Sequence, residues 1–341
     1  MLLTKRIYST SASASKQAAG WCLNRLSRIV QSVRAFRQEL TRTHQQEASP
    51  TTPQARLKIG LALGGGFARG MAHIGVLKVF EEEKIPIDFV AGTSVGSVIG
   101  AGFCAGLSAK ELEEIAFLVR FKHLARWTVS RFGFANNDRM AGFLKRVIPA
   151  ATFEELKIPL AVTATDFLTG EGVVFRSGPL IDPLRASCAY PGMFLPVEVD
   201  GRLLVDGLLA HSIPTLPLRE MGADRVIAVY LSAMWVNSRT KGPRHVFDVV
   251  GQCFSIAQNR MCGVWKAAAD VTIEPNVTGF GYDEFQRTPE LIKIGEEVAR
   301  KALPTIRQWL QTLESSPEPI ALKPQTKPTG APATALPLTA K

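Results

Sequence analysis

Ile87-Asp-Phe-Val-Ala-Gly-Thr-Ser-Val-Gly-Ser-Val-Ile-Gly-Ala-Gly-Phe-Cys-Ala-Gly-Leu107 is the stretch whose reading decides the fold. A short apolar run, Phe89–Ala91, leads into Gly92-Thr93-Ser94-Val95-Gly96, and small residues follow. This G-x-S-x-G form is that of a nucleophile elbow, a sharp strand-to-helix turn that exposes a serine hydroxyl in a strained conformation. Glycines at both ends of the motif fit, because larger side chains crowd the turn and the backbones beside it. A second reading competes. Phe89–Leu107 carries no charge over 19 residues, and that length can cross a membrane. Glycines 92, 96, 100, 102 and 106 weigh against a span, and the surrounding chain has to choose between the two.

At 341 residues the chain can hold one large α/β domain of roughly 250 residues or two smaller ones. An apolar content of 46% supports a substantial core, and 21% charged residues is ordinary for a globular protein. Cys22, Cys104, Cys188, Cys253 and Cys262 are scattered and form no C-x-x-C pair. That argues against a disulfide framework or a zinc site and for a reducing compartment. The net charge of +10 sits at the ends. Residues 1–55 carry eight Lys/Arg against Glu39 and Glu47, and residues 315–341 carry Lys323, Lys327 and Lys341 against Glu318. The near-neutral middle excludes a globally basic nucleic-acid binder.

Residues 1–19 are rich in Ser and Ala and lack the apolar core of a secretory signal, so a transit peptide and a plain disordered arm both fit. From Trp21 to Leu40 the pattern is helical, with Cys22, Leu26, Ile29, Val33, Phe36 and Leu40 on one face. Arg25 and Arg37 border that face, which suits a helix lying in a membrane interface; an extra helix packed on a domain fits equally. Residues 41–55 read as a polar linker. The globular domain then spans residues 56–314, and residues 315–341 form a Pro/Thr/Ala-rich tail expected to be disordered. Within the domain, strand Leu57–Leu63, a glycine-rich turn, helix Met71–Glu83, strand Ile87–Ala91 and a helix from Val95 give a βαβα start and predict a mainly parallel sheet. Further helices are expected at 109–120, 138–147, 182–189, 215–221, 245–269 and 289–313. Further strands are expected at 160–165, 172–176, 203–205, 225–231 and 271–274.

Gly64-Gly-Gly-Phe-Ala-Arg-Gly70 follows a strand and opens a helix, so its N–H groups can hold an anion. It is not a dinucleotide fingerprint, since G-x-G-x-x-G fails in either register and no acidic residue follows at a ribose-binding strand end. Nor is it a P-loop, since Gly70 is followed by Met71. What remains is a donor loop for an oxyanion, where each preorganised donor contributes on the order of 3–4 kcal/mol to acyl transfer. A serine also needs a base. His44 lies in the linker, His73 lies inside the first helix, and no motif surrounds His123 or His245. His211, five residues after Asp206, is one option. Asp206-Gly207 at the end of a strand is the stronger one, because an Asp raised in pKa by an apolar site can accept the serine proton directly.

Gly64–Gly70, Gly92–Gly96, Tyr190-Pro-Gly-Met-Phe-Leu-Pro196 and Asp206-Gly207, in this order and spacing, resemble the patatin-like phospholipases. Met71-Ala-His-Ile-Gly-Val-Leu-Lys78 resembles the bacterial branch and the catalytic domain of neuropathy target esterase. The resemblance covers about residues 57–300. It implies a three-layer α/β/α hydrolase with a Ser–Asp dyad: Ser94 as nucleophile, Asp206 as general base, and the amides of Gly64, Gly65 and Gly66 as oxyanion hole. Arg69 matches the family's basic residue in that loop and is a substrate-binding candidate. Two departures stand out: Leu208 where the family has Gly or Ala, and Phe67 where glycine is frequent. Phe132–Phe134, Met193, Phe194, Leu195 and Trp235 are candidate acyl contacts.

The expected activity is therefore hydrolysis of a fatty-acyl ester of a phospholipid or lysophospholipid, without metal or other cofactor. A lipid acyltransferase on the same dyad and a non-catalytic membrane adaptor are the alternatives. The expected location is cytoplasmic and peripherally membrane-associated through helix 21–40, with organelle targeting by the arm as the alternative. On this reading the charge-free stretch 89–107 is one buried strand and one buried helix rather than a membrane span.

Overall fold

The computed structural model describes residues 57–130, 133–231 and 246–314. The expectations for helix 21–40, the linker and the C-terminal tail, and those for Phe132 and Trp235, fall outside these residues.

The chain begins β1 (Ile59–Leu63), a 3₁₀ turn (Phe67–Met71), α1 (Ala72–Glu82), β2 (Phe89–Thr93) and α2 (Val95–Cys104). Next come α3 (Ala109–Leu118), a single turn α4 (Phe121–Leu124), the hairpin β3 (Arg126–Ser130) and β4 (Gly133–Asn136), and α5 (Asp138–Val147). Then follow β5 (Leu160–Asp166), β6 (Gly172–Phe175), α6 (Ile181–Ser187), β7 (Val197–Val199), β8 (Arg202–Asp206) and α7 (Thr215–Glu220). β9 (Arg225–Val229), α8 (Val246–Ala267), β10 (Val271–Ile273) and α9 (Thr288–Glu314) complete the domain.

Among the described residues eight strands form one sheet in the order β10-β9-β1-β2-β5-β8-β7, with β6 also against β5. β10, β9, β1, β2 and β5 run parallel, whereas β6 and β8 are antiparallel to β5, and β7 to β8. The period-2 alternation of each strand sorts its side chains into two layers. Ile59, Leu61, Leu63, Val90, Leu160, Val162, Ile227 and Val229 pack into one core with α1, α2, α3, α5 and α9. Ala62, Ala91, Ala161, Val226 and Ala228 face the other way, where small side chains let Leu218 of α7 and Trp265 of α8 pack close. The result is the expected α/β/α sandwich with a mainly parallel sheet. On the first face α1 and α9 touch backbone to backbone. A Cβ on Gly75 would lie 1.9 Å from the carbonyl oxygen of Ile292, and one on Gly295 would lie 2.0 Å from that of Ala72.

β5 is the place where the parallel block meets the antiparallel one. Thr163 pairs with Thr93 of β2 and Val174 of β6; the next residue, Ala164, pairs with Val173 of β6 and Asp206 of β8. A strand has only two edges, so β2 and β8 lie in succession along the same edge of β5. Their carboxyl ends meet there. The sequence places β2 two residues early, because the apolar Ile87 looks strand-like while the pairing with β1 starts at Phe89. It also misses the β3–β4 hairpin and the three-residue β7, whose short runs show too little alternation to stand out.

Candidate active site

Ser94 occupies the turn between β2 and α2 at φ 55°, ψ −128°, a conformation that non-glycine residues adopt only when the surroundings impose it. The surroundings do so through the flanking glycines. A Cβ on Gly96 would lie 2.2 Å from the Leu63 carbonyl oxygen, and one on Gly92 would lie 2.3 Å from the Ser97 Cα. The first turn of α2 thus packs against the end of β1 with no room for side chains. The Ser94 N–H donates to Ser187 Oγ at 2.8 Å, and Ser97 Oγ donates to the Ser94 carbonyl at 2.6 Å.

At the end of β8, Asp206 meets this turn. Ser94 Oγ donates to Asp206 Oδ2 at 2.8 Å, and the Leu208 N–H donates to Oδ1 at 3.0 Å. The Asp206 backbone is pinned on both sides, its N–H donating to Ala189 and its carbonyl accepting from Thr165 Oγ1 at 2.9 Å. Asp206 is fully buried. Burial pushes its carboxyl up to about 7, against the two hydrogen bonds that favour the charged form. A carboxylate near that value holds its proton loosely at neutral pH and is suited to general base catalysis. Leu208 contributes through its backbone amide, so its side chain in place of Gly or Ala leaves the aspartate's orientation intact.

Among the described residues no histidine joins the pair. The His211 ring lies against Gly172, where an added Cβ would sit 2.4 Å from its Nε2, and its backbone carbonyl accepts from Thr93 Oγ1 at 2.6 Å. His123 stacks on Phe143 with ring centroids 6.4 Å apart. His73 has a different place. Fully buried in α1, it hydrogen-bonds through Nε2 to the Gly64 carbonyl at 2.8 Å. A carbonyl only accepts, so Nε2 carries the hydrogen. Burial lowers His73 to about 4, which keeps it neutral. It braces the glycine loop, a role that sequence spacing did not reveal; Ser187 was missed in the same way.

The glycine loop lies beside Ser94, and a Cβ on Gly65 would be 3.4 Å from Ser94 Cβ. Its three amides are not equivalent. The Gly64 N–H donates to Val229 at 3.1 Å and the Gly65 N–H to Ser212 at 3.3 Å. Among the described residues no acceptor meets the Gly66 N–H. The sequence treats the three alike, whereas the fold ties two of them to neighbouring strands and loops.

Ser94 and Phe67 line two pockets at once. An apolar cavity of about 120 Å³ runs along α2 past Val95, Val98, Ile99 and Gly102 and is walled by Phe121, Phe143 and Phe194 among others. Apart from Ser94 and the buried Cys188, its lining is hydrocarbon, aromatic or methionine. A smaller pocket of about 50 Å³ includes Gly65, Gly66, Arg69, Tyr190, Ser212, Ser255 and Gln258. Phe67, held at φ 52° with its ring edge-on to Tyr190 and Tyr282, divides the two. Arg69 is buried in the polar pocket, and desolvation lowers its guanidinium to about 10. Of the expected acyl contacts, Phe194 lines the cavity; Met193 is buried in a neighbouring cluster, and Phe134 is exposed. Among the described residues no three His, Cys, Asp or Glu side chains converge as a metal site, and no helix is long and apolar enough to cross a membrane.

Residues 61–219, which hold the glycine loop, Ser94 and Asp206, match the patatin-like phospholipase family. The chain carries a patatin-like phospholipase domain. Over 215 residues the protein is 35% identical to an uncharacterized NTE family protein of Mycobacterium tuberculosis, covering 56% of this chain and 58% of that protein. Over 235 residues it is 32% identical to the lysophospholipase NTE1 of Mycosarcoma maydis, covering 65% of this chain and 12% of that protein. The chain therefore spans little more than half the length of the first relatives, and far less of the second. Among solved structures, VipD from Legionella pneumophila aligns at a TM-score of 0.44 with 15% identity, covering 73% of this chain and 67% of that one.

Proposed function

We propose that this patatin-like domain is a serine acyl hydrolase of phospholipids or lysophospholipids working through a Ser94–Asp206 dyad. One observation carries the reading: Ser94 Oγ is hydrogen-bonded to a buried carboxylate and sits between an apolar cavity and a polar pocket. An acyl chain lies along α2 in the apolar cavity, with its ester carbonyl at Ser94. The head group takes the polar side, where Arg69 offers a positive charge to a phosphate. As Ser94 Oγ attacks the carbonyl carbon, its proton passes to Asp206 Oδ2, and the carbonyl oxygen becomes an oxyanion. The Gly66 N–H is the loop donor left to meet that charge, and the N–H of Val95, the residue after the nucleophile, takes the second donor position that an elbow provides.

Collapse of the tetrahedral intermediate breaks the ester C–O bond, and Asp206 returns the proton to the departing alcohol. An acyl-Ser94 remains. Water then attacks it, giving its proton to Asp206, and the fatty acid leaves as Ser94 recovers its hydrogen. The same residue serves as base in each attack and as acid in each departure, so no histidine is required. A fluorophosphonate probe tests the nucleophile: labelling of the wild type and none of Ser94→Ala is expected. Equal hydrolysis of a panel of phospholipids and lysophospholipids by Ser94→Ala and wild type would sink the proposal.

A further inference from the structure

The rim of the apolar cavity carries a surface of unusual composition. Phe117 and Leu118 at the end of α3, Trp127 on β3 and Phe134 on β4 are all exposed, Leu118 at 71% and Trp127 at 69%. Large apolar side chains grouped in this way mark a surface that meets something other than water. Two ring contacts join the group to the cavity. Trp127 packs on Phe121 with centroids 5.6 Å apart, Phe121 packs on Phe194 at 6.3 Å, and both phenylalanines line the cavity.

Cations of one sign flank the apolar side chains. Arg120, Lys122 and Arg126 are exposed, and between Glu114 and Asp138 the sequence holds no acidic residue. Among the described residues Arg120 donates only to the carbonyls of Phe117 and Val119, at 2.7 and 2.8 Å. Among the described residues no carboxylate forms an ion pair with any of these three. Several arginines elsewhere in the domain are matched, as Arg185 is with Asp182 and Arg300 with Glu82. Exposed apolar side chains that include a Trp packed on a cavity-lining phenylalanine, interspersed along the chain with cations that no described carboxylate pairs, have the chemistry of a lipid–water interface. Tryptophan settles at head-group depth, and Lys and Arg meet anionic phosphates.

We infer that the face formed by the end of α3, α4 and the β3–β4 hairpin docks on an anionic bilayer, with the cavity mouth turned toward the acyl layer. Docking requires only this surface; the benefit to catalysis rests on the acyl hydrolase reading above. The test is cosedimentation of full-length protein carrying Ser94→Ala, so that lipid turnover does not enter. The vesicles are phosphatidylcholine alone or phosphatidylcholine with phosphatidylserine. Preferential binding to the anionic vesicles is expected. Adding Arg120→Gln, Lys122→Gln and Arg126→Gln lowers the partition about a hundredfold, since each cation near such a surface contributes about 1 kcal/mol.

The same triple variant with Ser94 intact keeps wild-type turnover of a water-soluble short-chain ester, which shows that it is folded. Brominated lipid quenches tryptophan emission in the wild type, and Trp127→Phe removes part of that quenching. Partition within twofold of wild type, quenching untouched by Trp127→Phe, or a triple variant that loses a dimer rather than vesicle binding overturns the inference. Vesicle binding is read without Ser94 and probe labelling without vesicles, so either reading can fail alone.

Discussion

Ser94 and Asp206 are 112 positions apart in the chain and 2.8 Å apart in space because β2 and β8 end against neighbouring residues of β5. Thr163 holds the last residue of β2, and Ala164 holds Asp206. One strand is parallel and the other antiparallel, so both carboxyl ends point at the same spot. The Ser94–Asp206 contact is a consequence of that junction, and the chemistry proposed for it can be tested residue by residue.

Asp206 must be ionised to accept the serine proton. With its carboxyl near 7, kcat/KM rises with pH through about that value and levels off above it. Asp206→Asn loses on the order of 10⁴-fold in kcat, as removal of a catalytic partner does in other serine hydrolases. A pH–rate profile flat from 5 to 9 in the wild type contradicts the assignment.

Stability follows the opposite course. The folded pKa of Asp206 lies above that of an unfolded aspartate, so the folded protein binds the extra proton between about pH 4 and 7. Its stabilising contribution is complete below that window and lost as pH rises through the folded value. Asp206→Asn should therefore melt above wild type at pH 8, with the gap shrinking as pH falls toward 4. Thermal unfolding of both proteins across that range is the measurement.

His73 acts on the loop through Gly64. Replacing it with Ala frees the Gly64 carbonyl and leaves a cavity; a loop displaced by an ångström costs on the order of 10²-fold in turnover. His73→Gln can still donate to the carbonyl and should recover part of the loss in kcat. If Ala and Gln are equally impaired in kcat while equally stable, the bracing role fails.

Val98 is four residues beyond Ser94 on α2, about 6 Å along the axis at 1.5 Å per residue, and lines the apolar cavity. Val98→Trp should shorten the acceptable chain: kcat/KM for long acyl esters falls about tenfold or more, while butyryl esters are spared. Competition between ester lengths reads this directly.

Gly295→Ala places a methyl 2.0 Å from the Ala72 carbonyl and must push α9 off α1. Overpacking of this kind costs about 1–3 kcal/mol or more. The variant should melt several degrees below wild type with an unaltered pH–rate profile.

The elbow, the glycine loop and Asp206-Gly207 were legible in the sequence because each is a local backbone requirement. Gly92 and Gly96 have no alternative where the Ser97 Cα would lie 2.3 Å and the Leu63 carbonyl oxygen 2.2 Å from an added Cβ, so the need for glycine is written at those positions. The inequality among Gly64, Gly65 and Gly66 was not legible. Which amide is occupied depends on Val229 and Ser212, more than 140 residues away. Nor were Ser187 and His73, since a buried serine or histidine has no spacing that distinguishes a brace from a core residue.

By itself the sequence determined the alternation that sorts each strand into two layers, the turn that strains Ser94, and a carboxylate at a strand end. These follow from sterics and periodicity, which act over a few residues. The sequence preferred Asp206 to His211 as the base; the tertiary structure alone brought Asp206 Oδ2 to 2.8 Å from Ser94 Oγ and raised its carboxyl toward neutrality. It also set Ser94 between an apolar and a polar pocket. Those outcomes depend on which edge of β5 each strand takes and on how completely water is excluded there. Long-range pairing fixes both, and no local pattern encodes it.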